Sequence, residues 1–323
     1  MTPSLTLLEL FETFSDKLPL HWVAGKQGAA RLLSGDSTSV ALHNLVGPMN
    51  CIHPNCIQVL GRIELDYLGG LGKNSHMDVV QQLFSRRPSA IIFADGSLPS
   101  AEFINRARRS KVPLLTSELP ASQVISDLQY YITHLLAKRC TIHGVFMEVL
   151  GMGVLLSGES AVGKSELALE LITRGHRLIA DDVAEFARIA PDILEGSCPP
   201  VLRSFLEVRG LGVLNVRAMF GDSAIKERKY LRLIICLRNL SEIPPTDIDR
   251  LEGSHSTRNL LGVEIPEVIL PVAPGRNLAI LIEAAVRNHS LRLKGYEASQ
   301  DFGARQREFI DQQGQEAPAQ ASE

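Results

Sequence analysis

Gly153-Val154-Leu155-Leu156-Ser157-Gly158-Glu159-Ser160-Ala161-Val162-Gly163-Lys164-Ser165 is the segment whose reading organises the rest of the chain. Its first five residues form an apolar run of strand length. The eight from Gly158 to Ser165 have the spacing G-x-x-x-x-G-K-[ST], and helix formers follow from Glu166 to Ile172. Strand, loop and helix in that order are the setting a phosphate-binding loop requires. Glycines let the backbone wrap until its N–H groups face phosphate oxygens. Lys164 then reaches the β- and γ-phosphates, and the Ser165 hydroxyl can ligate Mg²⁺. The octet alone also arises by chance in unrelated chains. The flanking strand and helix favour phosphate over an ordinary glycine-rich turn.

Working outward, 323 residues with 45% hydrophobic content predict about two globular domains. A net charge of −3 gives no global basic field, which argues against a nucleic-acid partner. The local basic cluster Arg106-Ala107-Arg108-Arg109 reads as a solvated helix face. No apolar run approaches the about 18 residues of a membrane span, and no signal-peptide pattern opens the chain. No membrane partner is therefore expected. Five scattered cysteines, an odd count, suit a reducing cytoplasm. Cys51-Ile52-His53-Pro54-Asn55-Cys56 offers half a zinc site but has no second ligand pair nearby.

The chain predicts an α/β fold in two parts. Residues 1–130 read as an N-terminal α/β domain with a short parallel sheet. Apolar runs at Ile57–Leu60, Ala90–Phe93 and Val112–Leu115 alternate there with helical patterns at Met77–Ser85 and Ser100–Arg109. A long amphipathic helix over Ala121–Lys138 reads as the connector. Residues 131–311 read as the domain holding the phosphate loop. Strands are expected at Ile142–Val149, Gly153–Leu156, Arg177–Ala180, Val208–Val216, Tyr230–Leu237 and Leu278–Val286, then a helix over Arg287–Lys294. The tail, 312–323, has no apolar period and reads as disordered.

Three groups bear on what is done with the phosphate. Asp181-Asp182 ends a strand shortly after Lys164, and strand ends in such sheets open on one crevice. One carboxylate can hold a metal or its water while the other accepts a proton, although such a doublet also makes solvated turns. In Leu206 to Asn215, Glu207 reads equally as a second Mg²⁺ ligand or as half of a surface ion pair with Arg209. His143, at a strand start, is by itself more often structural than chemical.

Together these residues resemble the bacterial HPr kinase/phosphorylase family. The likeness rests on the octet, His143-Gly144-Val145, Ala180-Asp181-Asp182 and Leu206 to Asn215. It continues in Asp249-Arg250-Leu251, in Val272 to Asn277, and in His53-Pro54-Asn55, Ile57 to Gly61, Glu64 and Tyr67-Leu68. The resemblance implies a C-terminal P-loop kinase domain similar to phosphoenolpyruvate carboxykinase, assembled as a homohexamer. It implies ATP-dependent phosphorylation of a seryl residue on HPr, a phosphocarrier of sugar uptake. It also implies removal of that phosphate by inorganic phosphate, giving pyrophosphate. Carried over, Lys164 contacts the nucleotide phosphates, Ser165 and Glu207 hold Mg²⁺, and Asp182 accepts the proton in one direction and returns it in the other. His143 and Arg250 match the remaining active-site positions, and Val272–Asn277 matches a segment tied to dephosphorylation. The readings that compete are a related small-molecule or protein serine kinase and a nucleotide-sensing module. Ala161 departs from the family's usual glycine, and a left-handed backbone there would carry a Cβ penalty.

Overall fold

A computed structural model describes residues 6–14, 17–31, 33, 45–51, 55–240 and 255–315. Its contacts divide the chain into two units, Met1–Ala137 and Lys138–Glu323. The sequence reading puts the boundary at 130/131, inside the long helix α5 (Ala121–Leu136). The helix stays whole with the first unit because Val124, Leu128 and Ile132 are buried in the same cluster as Ile57, Val59, Ala90 and Ile92.

In the first unit, β2 (Val46–Pro48), β3 (Ile57–Leu60), β4 (Ala90–Phe93) and β5 (Leu114–Thr116) run parallel. Strand β1 (His21–Ala24) closes one edge antiparallel to β5. The strands are buried on both faces, as parallel strands between helices must be. Ala90 and Ile92 face the cluster that holds α5. Ile91 and Phe93 face the other, with Val80, Leu83 and Phe84 of α3 (Lys73–Ser85) and Phe103 of α4 (Ala101–Ser110). Helices α1 (Leu7–Phe14) and α2 (Arg62–Gly70) complete the unit.

At the carboxyl edge of this sheet the helix starts converge on Asp95. Its Oδ2 accepts from the Arg62 N–H at 2.8 Å and its Oδ1 from the Ala121 N–H at 3.2 Å, so one carboxylate caps α2 and α5. Glu64 Oε2 accepts from the Gly61 N–H at 2.8 Å. Gly61 must lack a side chain here, since a Cβ would sit 2.7 Å from Asp95 Oδ2 and 2.8 Å from Ala121 Cβ.

The second unit is built around β8 (Met152–Gly158). β14 (Arg228–Asn239) lies parallel on one side, with β16 (Val263–Val272) parallel beyond it. On the other side β7 (Val145–Val149) is antiparallel to both β8 and β9 (Arg177–Ala180), so β9 runs with β8. The chain after β8, β9, β14 and β16 therefore leaves the sheet at one edge. Further antiparallel strands, β10 (Val183–Ala190) with β6 (Lys138–His143) and β11 (Ile193–Ser197), join through the start of β14. β15 (His255–Leu260) pairs with β16.

The apolar run of β8 is explained by burial on two sides. Val154 and Leu156 pack with α6 (Lys164–Thr173) and α8 (Leu278–Arg292), and Leu155 packs with Phe146, Phe186 and Ile234. Helix α8 is anchored to the end of α6 by Glu283. That carboxylate accepts from Arg174 at 2.9 and 2.6 Å and lies 2.9 Å from His176 Nε2. These partners hold it down to about 2.

Three expectations change. Leu278–Val286 is the first part of helix α8, not a strand: Asn277 caps it by accepting from the Ile280 N–H at 3.1 Å, and Ala279, Ile282 and Val286 are its buried stripe. Ile142–Val149 divides at Gly144 (φ 154°) into β6 and β7, which pair with different neighbours. Val208–Val216 is instead a hairpin, β12 (Phe205–Val208) and β13 (Gly212–Asn215), turning through left-handed Gly210, with α7 (Val216–Phe220) after it. Helix α9 (Ala298–Gln315) takes in 312–315 of the expected tail; the remainder lies outside the described residues. Among the described residues, no helix is long and apolar enough to cross a membrane.

Candidate active site

The loop from Gly158 to Ser165 joins β8 to α6 at the carboxyl edge of the sheet. Gly158 (φ 144°) passes so close to β14 that a Cβ would lie 2.5 Å from the Leu237 carbonyl oxygen. Gly163 (φ 95°) turns the chain into α6. Ala161 is left-handed too, at φ 64°, so the Cβ penalty anticipated from the sequence falls on this residue. Lys164 folds back, and its Nζ donates to the carbonyls of Gly158 at 3.0 Å and Glu159 at 2.7 Å. The N–H groups of Lys164 and Ser165 donate to no protein acceptor among the described residues. They are the donors a helix start offers an anion.

Asp181 joins three separate stretches of sequence. It leaves the end of β9 and is 7% exposed. Its Oδ1 accepts from Ser165 Oγ at 3.1 Å, and its Oδ2 accepts from the Glu207 N–H at 2.8 Å. Burial raises its carboxyl above the ordinary carboxylate range, and those two hydrogen bonds oppose the shift. The hairpin that carries Glu207 is held against α6 by Leu206 and Val208, which are buried in the cluster of Leu167 and Leu171. Alternation along β12 leaves Glu207 exposed. Among the described residues it makes no ion pair with Arg209, one of its two sequence readings.

Asp182 differs from its neighbour in every respect. It is exposed and left-handed (φ 63°), and its carbonyl accepts from the Gly144 N–H at 3.0 Å. Pairing of His143 on β6 with Val183 on β10 sets the imidazole beside it, with Nδ1 3.7 Å from Asp182 Oδ1. One carboxylate of the doublet is thus buried and bonded to the loop. The other stands in solvent beside a histidine.

The structure therefore brings Lys164, Ser165, Asp181 and Asp182 to the same sheet edge, with His143 beside Asp182 and Glu207 bonded to Asp181. Val272 ends β16 two strands from the loop at that edge, and Asn277 begins α8. Arg250 lies outside the described residues. Read from the residues alone, the division of labour within the doublet stays open; the resemblance gives the proton to Asp182 and no role to Asp181. The signal was the doublet itself, but only the fold shows which carboxylate turns inward. Ser165 Oγ, the Asp181 carboxylate and Glu207 are hard oxygen donors, the chemistry that suits Mg²⁺.

Two family models match: HPr Serine kinase N terminus over residues 5–132, and HPr Serine kinase C-terminal domain over residues 134–306. The chain is 44% identical over 312 residues to the HPr kinase/phosphorylase of Xylella fastidiosa (strain M12), covering 96% of this chain and 99% of that protein. The figures are the same for the HPr kinase/phosphorylase of Xanthomonas axonopodis pv. citri (strain 306). Among solved structures, the Hpr(Ser) kinase/phosphatase from Coxiella burnetii is 40% identical. That alignment covers 50% of this chain and 98% of that one, with a TM-score of 0.46.

Proposed function

The chain belongs to the HPr serine kinase family, and from that premise we propose how its residues divide the work of phosphorylating and dephosphorylating a serine of HPr. The observation that carries the proposal is Asp181. By bonding Ser165 and the Glu207 backbone at once, it draws the phosphate loop and the β12–β13 hairpin into one site.

In the kinase direction the loop N–H groups and Lys164 hold the phosphates of ATP. Asp182, exposed at the rim, takes the proton from the incoming serine hydroxyl as its oxygen bonds to the γ-phosphorus and ADP departs. His143, 3.7 Å away, orients Asp182. Arg250 serves the equatorial oxygens of the transferred group. Ser165 and Glu207 are the residues that would hold Mg²⁺, which would offset the charge of the phosphates. In the reverse direction an oxygen of inorganic phosphate bonds to the phosphorus of phosphoserine. The serine oxygen leaves with the proton from Asp182, and pyrophosphate is released. The same residues serve both directions because phosphate occupies the place of the departing diphosphate. Val272–Asn277 is the segment we assign to this reverse direction.

The proposal extends to a homohexamer, to a catalytic unit akin to phosphoenolpyruvate carboxykinase and to a cytoplasmic location, which five free thiols suit. The experiment is transfer of label from γ-labelled ATP to purified HPr with Mg²⁺, then its recovery as pyrophosphate on adding inorganic phosphate. Labelled HPr and labelled pyrophosphate are the expected products. A labelled small molecule with HPr unlabelled would indicate a small-molecule kinase, and no transfer at all would indicate a nucleotide sensor.

A further inference from the structure

The first unit carries a cationic groove that phosphoryl transfer does not use. It is an open depression of about 810 Å³ between α3 and α4, with the buried ring of Phe84 in its wall. Three guanidinium groups line it, from Arg87, Arg106 and Arg109, against the single carboxylate of Glu102. That carboxylate is already engaged: it accepts from Arg106 Nε at 3.1 Å and lies 3.9 Å from His76 Nδ1. Among the described residues, Arg87 and Arg109 have no acidic partner. The amides of Gln81 and Asn105 add neutral donors to the same lining.

Two further facts set these arginines apart from a solvated helix face. Arg87 is held at φ 48°, a left-handed conformation that is strained for a non-glycine residue. Its backbone N–H donates to the Phe84 carbonyl at 3.0 Å, which fixes the point from which the side chain leaves. The dipole of α4 favours a cation in its last turn, and Arg108 already provides one outside the groove. That effect does not explain two unpaired arginines bordering one groove, Arg87 just beyond α3 and Arg109 in the last turn of α4, on a chain whose net charge is −3.

We propose that this groove binds a small oxyanion metabolite, phosphate- or carboxylate-bearing. Arg87 and Arg109 grip it by forked, charge-assisted hydrogen bonds, and Gln81 and Asn105 bind its neutral oxygens. The site is independent of the phosphate loop, so its test does not depend on the transfer reaction.

The test is calorimetric titration of the full-length protein with inorganic phosphate in one arm and citrate in the other. The wild type is compared with Arg87→Gln/Arg109→Gln and with Arg108→Gln as the control. The double variant should lose one binding event, weakened about tenfold or more, while Arg108→Gln matches the wild type. Binding at the phosphate loop is common to all three proteins and cancels. Loss in the phosphate arm identifies a phosphate ligand, and loss in the citrate arm a carboxylate. Should the double variant fold poorly, Arg109→Lys keeps the charge and should still weaken binding several-fold by removing the fork. Isotherms unchanged by these substitutions in both arms overturn the proposal.

Discussion

In the first unit the N–H groups that open α2 and α5 donate to Asp95, whereas in the second those that open α6 donate to no protein acceptor among the described residues. Both sets sit at the carboxyl edge of parallel strands, where helix dipoles and free donors favour an anion. The first sheet brings its own anion, and Gly61 lets that carboxylate approach until no side chain fits between. The second sheet turns its buried carboxylate, Asp181, sideways onto a serine hydroxyl and a hairpin backbone, leaving the loop donors open. The same α/β edge is thus sealed in one unit and kept available in the other. The difference lies in where one aspartate points.

The largest effect that would sharpen this contrast comes from Asp181→Asn. An amide presents N–H where a carboxylate oxygen met a donor, so it cannot serve both Ser165 and Glu207. The Mg²⁺ concentration for half-maximal transfer should rise about ten- to a hundredfold. Because burial raises this carboxyl, the wild type should also need more Mg²⁺ as pH falls, and the variant should lose that dependence. An unchanged Mg²⁺ requirement would reduce Asp181 to a structural tie.

Asp95→Ala tests the sealed edge. It removes two helix caps and places alanine at φ 57°, and should cost about 2 kcal/mol in urea unfolding while label transfer per folded molecule holds. A loss of transfer without a loss of stability would show that the first edge is not merely sealed. The smallest effect belongs to Ala161→Gly. Relieving the left-handed alanine should raise stability by up to about 1 kcal/mol, measured by the same unfolding. A destabilised variant would mean the strain is absent.

Much of the second edge was legible in the sequence because its parts are local. A strand, a glycine-rich turn, a lysine and a helix follow one another from Gly153 to Ile172, and the Asp181-Asp182 doublet ends the next strand. What was not legible depends on pairing across the chain. That His143 stands beside Asp182 follows from β6 lying against β10, and that Glu207 is bonded to Asp181 follows from Leu206 and Val208 packing on α6. Leu278–Val286 was misread because its opening residues, Leu-Ala-Ile-Leu-Ile, are apolar at every position and fit either period. The cap at Asn277 was the available signal. In the first unit, strands and helices showed clearly from their apolar runs, but nothing local announced that Asp95 would cap helices begun at Arg62 and Ala121.

By our proposal, one exposed carboxylate at the open edge moves the proton in both directions. This is tested most directly by Asp182→Asn, following label from ATP to HPr and from phosphorylated HPr to pyrophosphate, with nucleotide affinity measured alongside. Both rates should fall together by at least about a hundredfold while nucleotide affinity stays near that of the wild type. Retention of either direction would contradict the account, and so would a parallel loss of nucleotide binding.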